Sequence, residues 1–236
     1  MKNKMLSLLI GISCIAYTAN ANEGFQKGFY AGVSLGGSSF KGKRSDWHVS
    51  NDGTMFQFSK GASISNTSER GEAFLGYFLP FYQDKLGISF EGFYAFSSLN
   101  HRIRHDLEIQ PGIGFYLTER LQTKRSFGGS FRLGPIIHKK HFIGTILGFE
   151  SARFTRSHED GVGKEFHKVS KQKAGFQYGL TYQYAWNNSS SIGIDLKQTR
   201  FSSMTLSKAD STSAITTTRF KPKINSLVVR YTYRFY

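Results

Sequence analysis

Gly175-Phe176-Gln177-Tyr178-Gly179-Leu180-Thr181-Tyr182-Gln183-Tyr184-Ala185-Trp186 alternates a large apolar or aromatic residue with a small or polar one at every step. Successive side chains of a strand point to opposite faces, so this stretch is a ribbon with one greasy, aromatic surface and one small, polar surface. A soluble sheet buries the greasy side. A membrane barrel turns it outward to lipid and keeps polar residues inside.

The same period marks seven further strands. Phe29, Ala31, Val33 and Leu35 alternate with Tyr30, Gly32, Ser34 and Gly36; Ala73, Leu75, Tyr77 and Leu79 with Glu72, Phe74, Gly76 and Phe78. Leu86, Ile88, Phe90, Tyr94 and Phe96 oppose Gly87, Ser89, Glu91, Phe93 and Ala95, and Phe127, Phe131 and Leu133 oppose Ser126, Gly128, Ser130 and Arg132. Ile143, Thr145, Leu147 and Phe149 stand against Gly144, Ile146, Gly148 and Glu150. Ile192, Ile194 and Leu196 oppose Gly193, Asp195 and Lys197; Leu227, Val229, Tyr231, Tyr233 and Phe235 oppose Val228, Arg230, Thr232 and Arg234. A tilted strand needs roughly 9 to 11 residues to cross the hydrocarbon layer. The fold read from this pattern is an all-β, antiparallel, up-and-down transmembrane barrel of eight strands.

Connections after the second, fourth and sixth strands are tight, whereas Lys41 to Glu69, Ser98 to Lys124, Arg153 to Lys171 and Arg200 to Lys223 read as long polar loops. That sidedness is the one expected of an outer-membrane barrel, with short periplasmic turns and long external connections. Within Asp106 to Leu121, Ile113, Phe115 and Leu117 interleave with Gly114, Tyr116 and Thr118, which gives either a hairpin above the membrane or a barrel of ten strands. Pro111 and its charged surroundings favour the hairpin.

Residues 1–21 read as a cleaved signal peptide: Lys2 and Lys4, an apolar stretch from Met5 to Ala16, and the small-residue site Ala19-Asn20-Ala21. Residues 22–236 then form one barrel domain. Cys14, the single cysteine, leaves with the leader, so the mature chain has no disulfide or thiol chemistry. Without Lys2 and Lys4 the 31 Lys and Arg become 29 against 16 Asp and Glu, a formal net charge of +13. In a cytosolic chain such an excess points to nucleic acid; in an exported one it points to lipid phosphates and acidic surface sugars.

Gly28-Phe29-Tyr30-Ala31-Gly32-Val33-Ser34-Leu35-Gly36 resembles the first strand of the small outer-membrane barrels related to the OmpA barrel and the opacity adhesins, and Val229 to Phe235 resembles their closing strand. The resemblance implies residence in the outer membrane of a Gram-negative bacterium and insertion by the barrel-assembly machinery, which reads a C-terminal aromatic. Tyr231, Tyr233, Phe235 and Tyr236 are the candidates for that signal. Full-length OmpA-type relatives carry a peptidoglycan-binding domain after the barrel, whereas here the chain ends at the strand.

The strand phases put Glu72, Glu91, Glu150 and Asp195 inside, together with Arg132, Lys197, Arg230 and Arg234. An eight-stranded barrel is just wide enough for side chains to fill it, and buried charges are tolerable only when paired. The expectation is an ionic plug with little or no conductance. Outside, Arg153, Arg156, Lys164, Lys168 and Lys171 are candidates for contact with lipopolysaccharide or acidic host polysaccharide. No catalytic, metal or cofactor site is expected. His138 with His141, and His101 with His105, lack the further ligands that a metal needs. The expected role is structural or adhesin-like. A lipid A-modifying barrel enzyme, for which His48, Ser50 and Asp52 are the available trio, and a small porin are the alternatives.

Overall fold

The computed structural model describes residues 24–49, 55–110, 113–159, 165–209 and 215–235. Residues 1–21, with the proposed leader, and Lys164 and Tyr236 lie outside them. Nine strand segments follow one another: β1 (Gly28–Val49), β2 (Met55–Phe81), β3 (Leu86–Gln110), β4 (Ile113–Ile137), β5 (His141–Glu159), β6 (Glu165–Ala185), β7 (Ser190–Phe201), β8 (Met204–Ala209) and β9 (Ile215–Phe235). Successive strands from β1 to β7 pair antiparallel, β9 pairs antiparallel with both β7 and β8, and β1 pairs with β9 from Phe29↔Phe235 to Val49↔Ile215, which closes the sheet into a barrel.

The barrel has eight walls, because β7 and β8 are one strand with an interruption. β7 pairs with β9 as far as Arg200↔Lys223, and β8 resumes at Met204↔Phe220, one residue out of step. Such a bulge resets the alternation of faces. Here it lets both Phe201 and Met204 point inward.

The faces divide as the alternation requires. Phe29, Leu75, Phe90, Phe149, Leu180, Leu196 and Leu227 stand on the outer surface, with Leu180 58% exposed, whereas Glu91 and Arg230 are 5% and 1% exposed. Tyr182, Ile194, Val229 and Leu35 are neighbours in register on four adjacent strands and form one course of this apolar outer belt. A wall that is greasy outside and charged inside is the inverse of a soluble protein and the architecture of an outer-membrane barrel. Tyr233 and Phe235 share the outer face, their rings 5.3 Å apart and edge-on.

The tight connections lie at one end. Residues 82–85, 138–140 and 186–189 form them, the first two through backbones at positive φ: Tyr82, Gln83, Asp84, His138 and Lys139. At the other end the expectation of long loops is corrected, since most of those residues are strand. Lys43 pairs with Ser63, His101 with Leu121 and Arg156 with Val169. β2 alone has 27 residues, far beyond the membrane requirement. Backbone pairing needs no apolar side chain, so the ladder runs on above the lipid where both faces are polar. The stretch at Asp106 to Leu121 is such a continuation: β3 and β4 pair down to Gln110↔Ile113 as a hairpin of the eight-walled barrel.

Inside, two aromatic clusters lie at different heights. Near the tight turns Phe25, Tyr30, Phe74, Phe78, Phe93, Ile136 and Phe142 pack together. Phe25 precedes β1 and folds under the barrel, its amide donating to the Lys139 carbonyl at 2.9 Å. Toward the opposite end Phe40, Leu99, Leu121, Phe154, Phe201, Met204, Phe220 and Ile224 form the second cluster. Several of the rings lie over a glycine. A Cβ at Gly32 would collide with Phe74, and one at Gly128 with Phe93. The narrow bore accepts these rings because the adjacent strand gives up its side chain there.

Ile194, half exposed on the middle course of the belt, tests which solvent the wall meets. Ile194→Arg is expected to destabilise the barrel by about 2–4 kcal/mol, the cost of a basic side chain on the lipid face near the midplane. Urea titration of folding into lipid vesicles measures it, and an unchanged unfolding free energy would overturn the lipid-facing assignment.

Candidate functional site

The interior charges arise from strand phase: residues two apart share a face, and six strands, β2, β3, β4, β5, β7 and β9, each send one or two ionised groups inward. They meet in two connected groups. In the first, Asp195 of β7 accepts from both terminal nitrogens of Arg132 (β4) at 2.9 and 3.0 Å, and from Arg230 (β9) at 3.1 Å. Glu91 of β3 completes the square, accepting from Arg132 at 2.9 Å, from Arg230 at 2.6 Å and from the Tyr30 hydroxyl at 3.2 Å. Two acids and two bases make this group neutral. The Arg230 guanidinium also lies 4.1 Å over the Phe74 ring, whose electron-rich face suits a cation.

In the second group Lys197 reaches both oxygens of Glu72 at 2.7 Å. Arg70 bridges Glu72 at 2.7 Å and Glu150 at 2.9 Å. Glu150 further accepts from Ser126 at 2.6 Å, Thr199 at 2.7 Å and Gln177 at 3.3 Å. Each carboxylate therefore has at least three donors, which is the condition for keeping it charged away from water. Nearer the turns, Arg234 donates to the Asn188 carbonyl at 3.1 Å and stacks 4.6 Å over Phe25. All eight sequence-predicted interior charges, Glu72, Glu91, Arg132, Glu150, Asp195, Lys197, Arg230 and Arg234, are thus buried.

Two pairings were not foreseen. Arg70, which links the two acids of the second group, stands two residues before Glu72 and shares its face, just beyond the stretch Lys41 to Glu69 that reads as a loop. Arg156 is the matching correction. Expected on the outer surface, it is 5% exposed and donates to Glu119 at 2.6 Å. β5 does not stop at Arg153 but runs to Glu159, so the phase that turns Glu150 inward turns Arg156 inward too.

The remaining polyanion candidates divide. Arg153, Lys168 and Lys171 are exposed, and Lys171 approaches the Thr205 carbonyl at 3.4 Å. The outer wall at that height carries further exposed cations, among them Lys41, Lys43, Arg102, Lys124, Arg125, Arg200, Arg219 and Lys221. Of the acidic side chains whose surroundings are described, only Glu69 and Asp84 face outward, and Asp84 belongs to a tight turn at the other end. His141 shares a hydrogen bond of 2.9 Å with the Tyr182 hydroxyl on the turn-side rim. Ser50 and Asp52 lie outside the described residues, and His48 is placed only by its backbone, opposite Phe56 and Thr216. Among the described residues no three His, Cys, Asp or Glu converge as metal ligands.

No family model matches the chain, and no curated protein does. Among solved structures it is similar to Ail, the attachment invasion locus protein of Yersinia pestis, crystallised with the heparin analogue sucrose octasulfate, at 10% identity, 88% of this chain, 99% of that one and a TM-score of 0.40. The outer-membrane protease OmpT of Escherichia coli matches at 11% identity over 93% of this chain and 99% of that one, TM-score 0.39. Neisserial surface protein A matches at 13% identity, 88% and 97%, TM-score 0.36. At such scores the functional reading of this chain rests on its own residues.

Asp195 is the acid on which Arg132 and Arg230 converge, so Asp195→Asn leaves three charges where four were balanced. The expected loss is about 3–5 kcal/mol, the usual cost of breaking a buried pair from one side. Arg132→Met combined with Asp195→Leu leaves Glu91 and Arg230 as a neutral pair. That double variant is expected to recover about 1–3 kcal/mol relative to the sum of its singles. Additive losses in a denaturation cycle would show that the square does not act as a unit.

Proposed function

We propose that this protein is a non-conducting surface barrel of the bacterial outer membrane whose basic outer end engages anionic groups, either lipopolysaccharide beside it or acidic polysaccharide beyond it, in a structural or adhesin-like role. One observation carries the reading: acids are drawn inside and neutralised there, while cations crowd the outer wall above the apolar belt. Inside, five acids and six bases are buried among the described residues, so the interior nearly balances itself. The excess charge of the chain therefore resides on its surface.

A binding role fits this division better than a porin. The ion-paired groups, held at 2.6 to 3.1 Å, and the aromatic clusters on either side of them fill the bore among the described residues, which supports a closed interior. It also fits better than catalysis, since the buried carboxylates of the described residues are engaged by arginine, lysine, amide and hydroxyl donors. Insertion by the barrel-assembly machinery through the outward aromatics of β9, with Tyr236 beyond them, belongs to the same reading, as does removal of residues 1–21 before the chain reaches the membrane.

Retention on immobilised heparin-like polysaccharide and on lipopolysaccharide over a salt series checks the electrostatic part. Binding is expected to weaken steeply between about 0.05 and 0.5 M salt as the Debye length shrinks toward a few ångströms. Replacing Arg153, Lys168 and Lys171 by Gln is expected to lower it further at low salt. Arg156→Gln should leave retention unchanged and lower stability, because that guanidinium is committed to Glu119. Retention indifferent to salt would remove the polyanion reading. In planar bilayers the refolded barrel is expected to stay closed, and steady single-channel current would contradict the plug.

A further inference from the structure

Along the outer wall of β6, β7, β9 and β1 the courses of side chains are set by register. Leu180, Leu196 and Leu227 lie side by side on β6, β7 and β9 and are exposed. One course higher stand Tyr178, Gln198, Asn225 and Ser39, again neighbours in register. The Tyr178 hydroxyl donates to the Gln198 side-chain oxygen, and the Gln198 amide donates to Asn225. The next course is Arg200, Lys223 and Lys41 on β7, β9 and β1, with the exposed Phe176 of β6 beside Arg200.

That uppermost course is physically odd. Lys223 has Arg200 directly opposite on one side and Lys41 on the other, and one turn of the pleat higher Lys43 faces Lys221. Like charges directly opposite across a sheet destabilise it. Strands about 4.8 Å apart hold these groups close whatever their rotamers. Arg200 turns back onto the amide course, donating to Gln198 at 3.1 Å and lying 5.3 Å over the Tyr178 ring, while among the described residues no carboxylate pairs with Arg200, Lys223 or Lys41. Among the described residues nothing supplies a counter-charge for this face, at the height where the hydrocarbon belt ends.

We propose that this face is a binding site for one phosphorylated, acylated glycolipid of the outer leaflet, the lipid A class. Acyl chains lie against Leu180, Leu196 and Leu227; amide and hydroxyl groups of the sugar meet Gln198 and Asn225; a sugar phosphate sits among Arg200, Lys223 and Lys41. A simple anionic phospholipid satisfies the first and third courses but has no amide-bearing sugar for the second. On β7 and β9 the order of chemistry, apolar, then amide, then cationic, matches the glycolipid better than the phospholipid. This site rests on the reading that the outer wall engages anionic groups, and specifies which wall and which ligand.

The test uses the full-length mature barrel refolded in detergent and stripped of lipid, then incubated with diphosphoryl lipid A, dephosphorylated lipid A or phosphatidylglycerol, with native mass spectrometry counting bound copies. One retained copy of diphosphoryl lipid A is expected, with weaker retention of the other two. Combined Lys41→Gln, Lys223→Gln and Arg200→Gln should reduce its retention by about tenfold or more, given the attraction that each surface Lys or Arg exerts on anionic lipid. The control combination Arg102→Gln, Lys124→Gln and Arg125→Gln, on the far side of the barrel, should not. Gln198→Leu with Asn225→Leu should abolish the preference over phosphatidylglycerol while leaving phosphatidylglycerol retention intact. Equal loss in the two charge combinations, or equal retention of phosphatidylglycerol by the unaltered barrel, overturns the site. If the site fails while salt-sensitive retention on polysaccharide persists, only the glycolipid assignment is lost; if both vanish, the broader surface reading falls with it.

Discussion

A strand can face hydrocarbon only if none of its backbone amides is left without a partner there, because each unsatisfied group in lipid costs several kcal/mol. The pairing of β1 with β9 meets that condition for the whole sheet, since it removes the two edges that an open sheet would present. Everything else follows from closure. Once the ladder is complete the outer wall is free to be apolar, and the alternation that makes it so sends every second residue into a bore too narrow for water-filled solvation. Charges that arrive there must find one another.

The interior meets this demand by alternating kinds of contact along the axis. Phe74, Phe78, Phe93 and Phe142 fill space on the turn side, the ion-paired groups cross the middle, and Phe154, Phe201 and Phe220 fill the far side. The aromatic clusters keep water from the charges, which both strengthens the attraction and raises the cost of any unpaired member. Lys197 over Phe93 and Arg230 over Phe74 tie the two kinds of layer together. The result is a barrel braced from within, where Arg70, Arg132 and Arg230 span strands far apart in sequence. Glu91 and Arg230 are separated by 139 positions, so the square also fixes which strands face each other across the bore.

How much of this the sequence shows depends on where lipid enforces a pattern. Within the belt a polar residue facing outward is costly, so alternation there is strict, and it places Leu180 outside and Asp195 inside without ambiguity. Above the belt the outer face meets water and lipid headgroups, both faces tolerate Ser, Thr and Lys, and a strand becomes indistinguishable from a loop. Arg70, Glu119 and Arg156 fall in that zone, which is why their pairings are illegible there: the phase of Arg70 and Arg156 follows from Glu72 and Glu150, whereas Glu119 lies beyond an irregularity at Lys124 and Arg125 that switches the inward parity of β4. The Phe40, Phe154 and Phe220 cluster was missed for the same reason. Phe25 precedes the first strand and has no periodicity around it, and only the fold shows that it closes the turn side. The bulge between Phe201 and Met204 leaves no composition signal beyond two serines.

The height at which the alternation loses its strictness is itself informative. On β7 the outer face passes from Leu196 to Gln198 to Arg200, and on β9 from Leu227 to Asn225 to Lys223, so two antiparallel strands change character at the same register. β1 agrees, with Ser39 and then Lys41 in the corresponding courses. Three strands reading in opposite directions cannot share a boundary by local propensity. They share it because each crosses the same external plane, where hydrocarbon gives way to polar, anionic material. The cations collected above that plane repel one another within the protein, and on the proposed reading the negative charge of the layer they meet is what makes their arrangement tolerable.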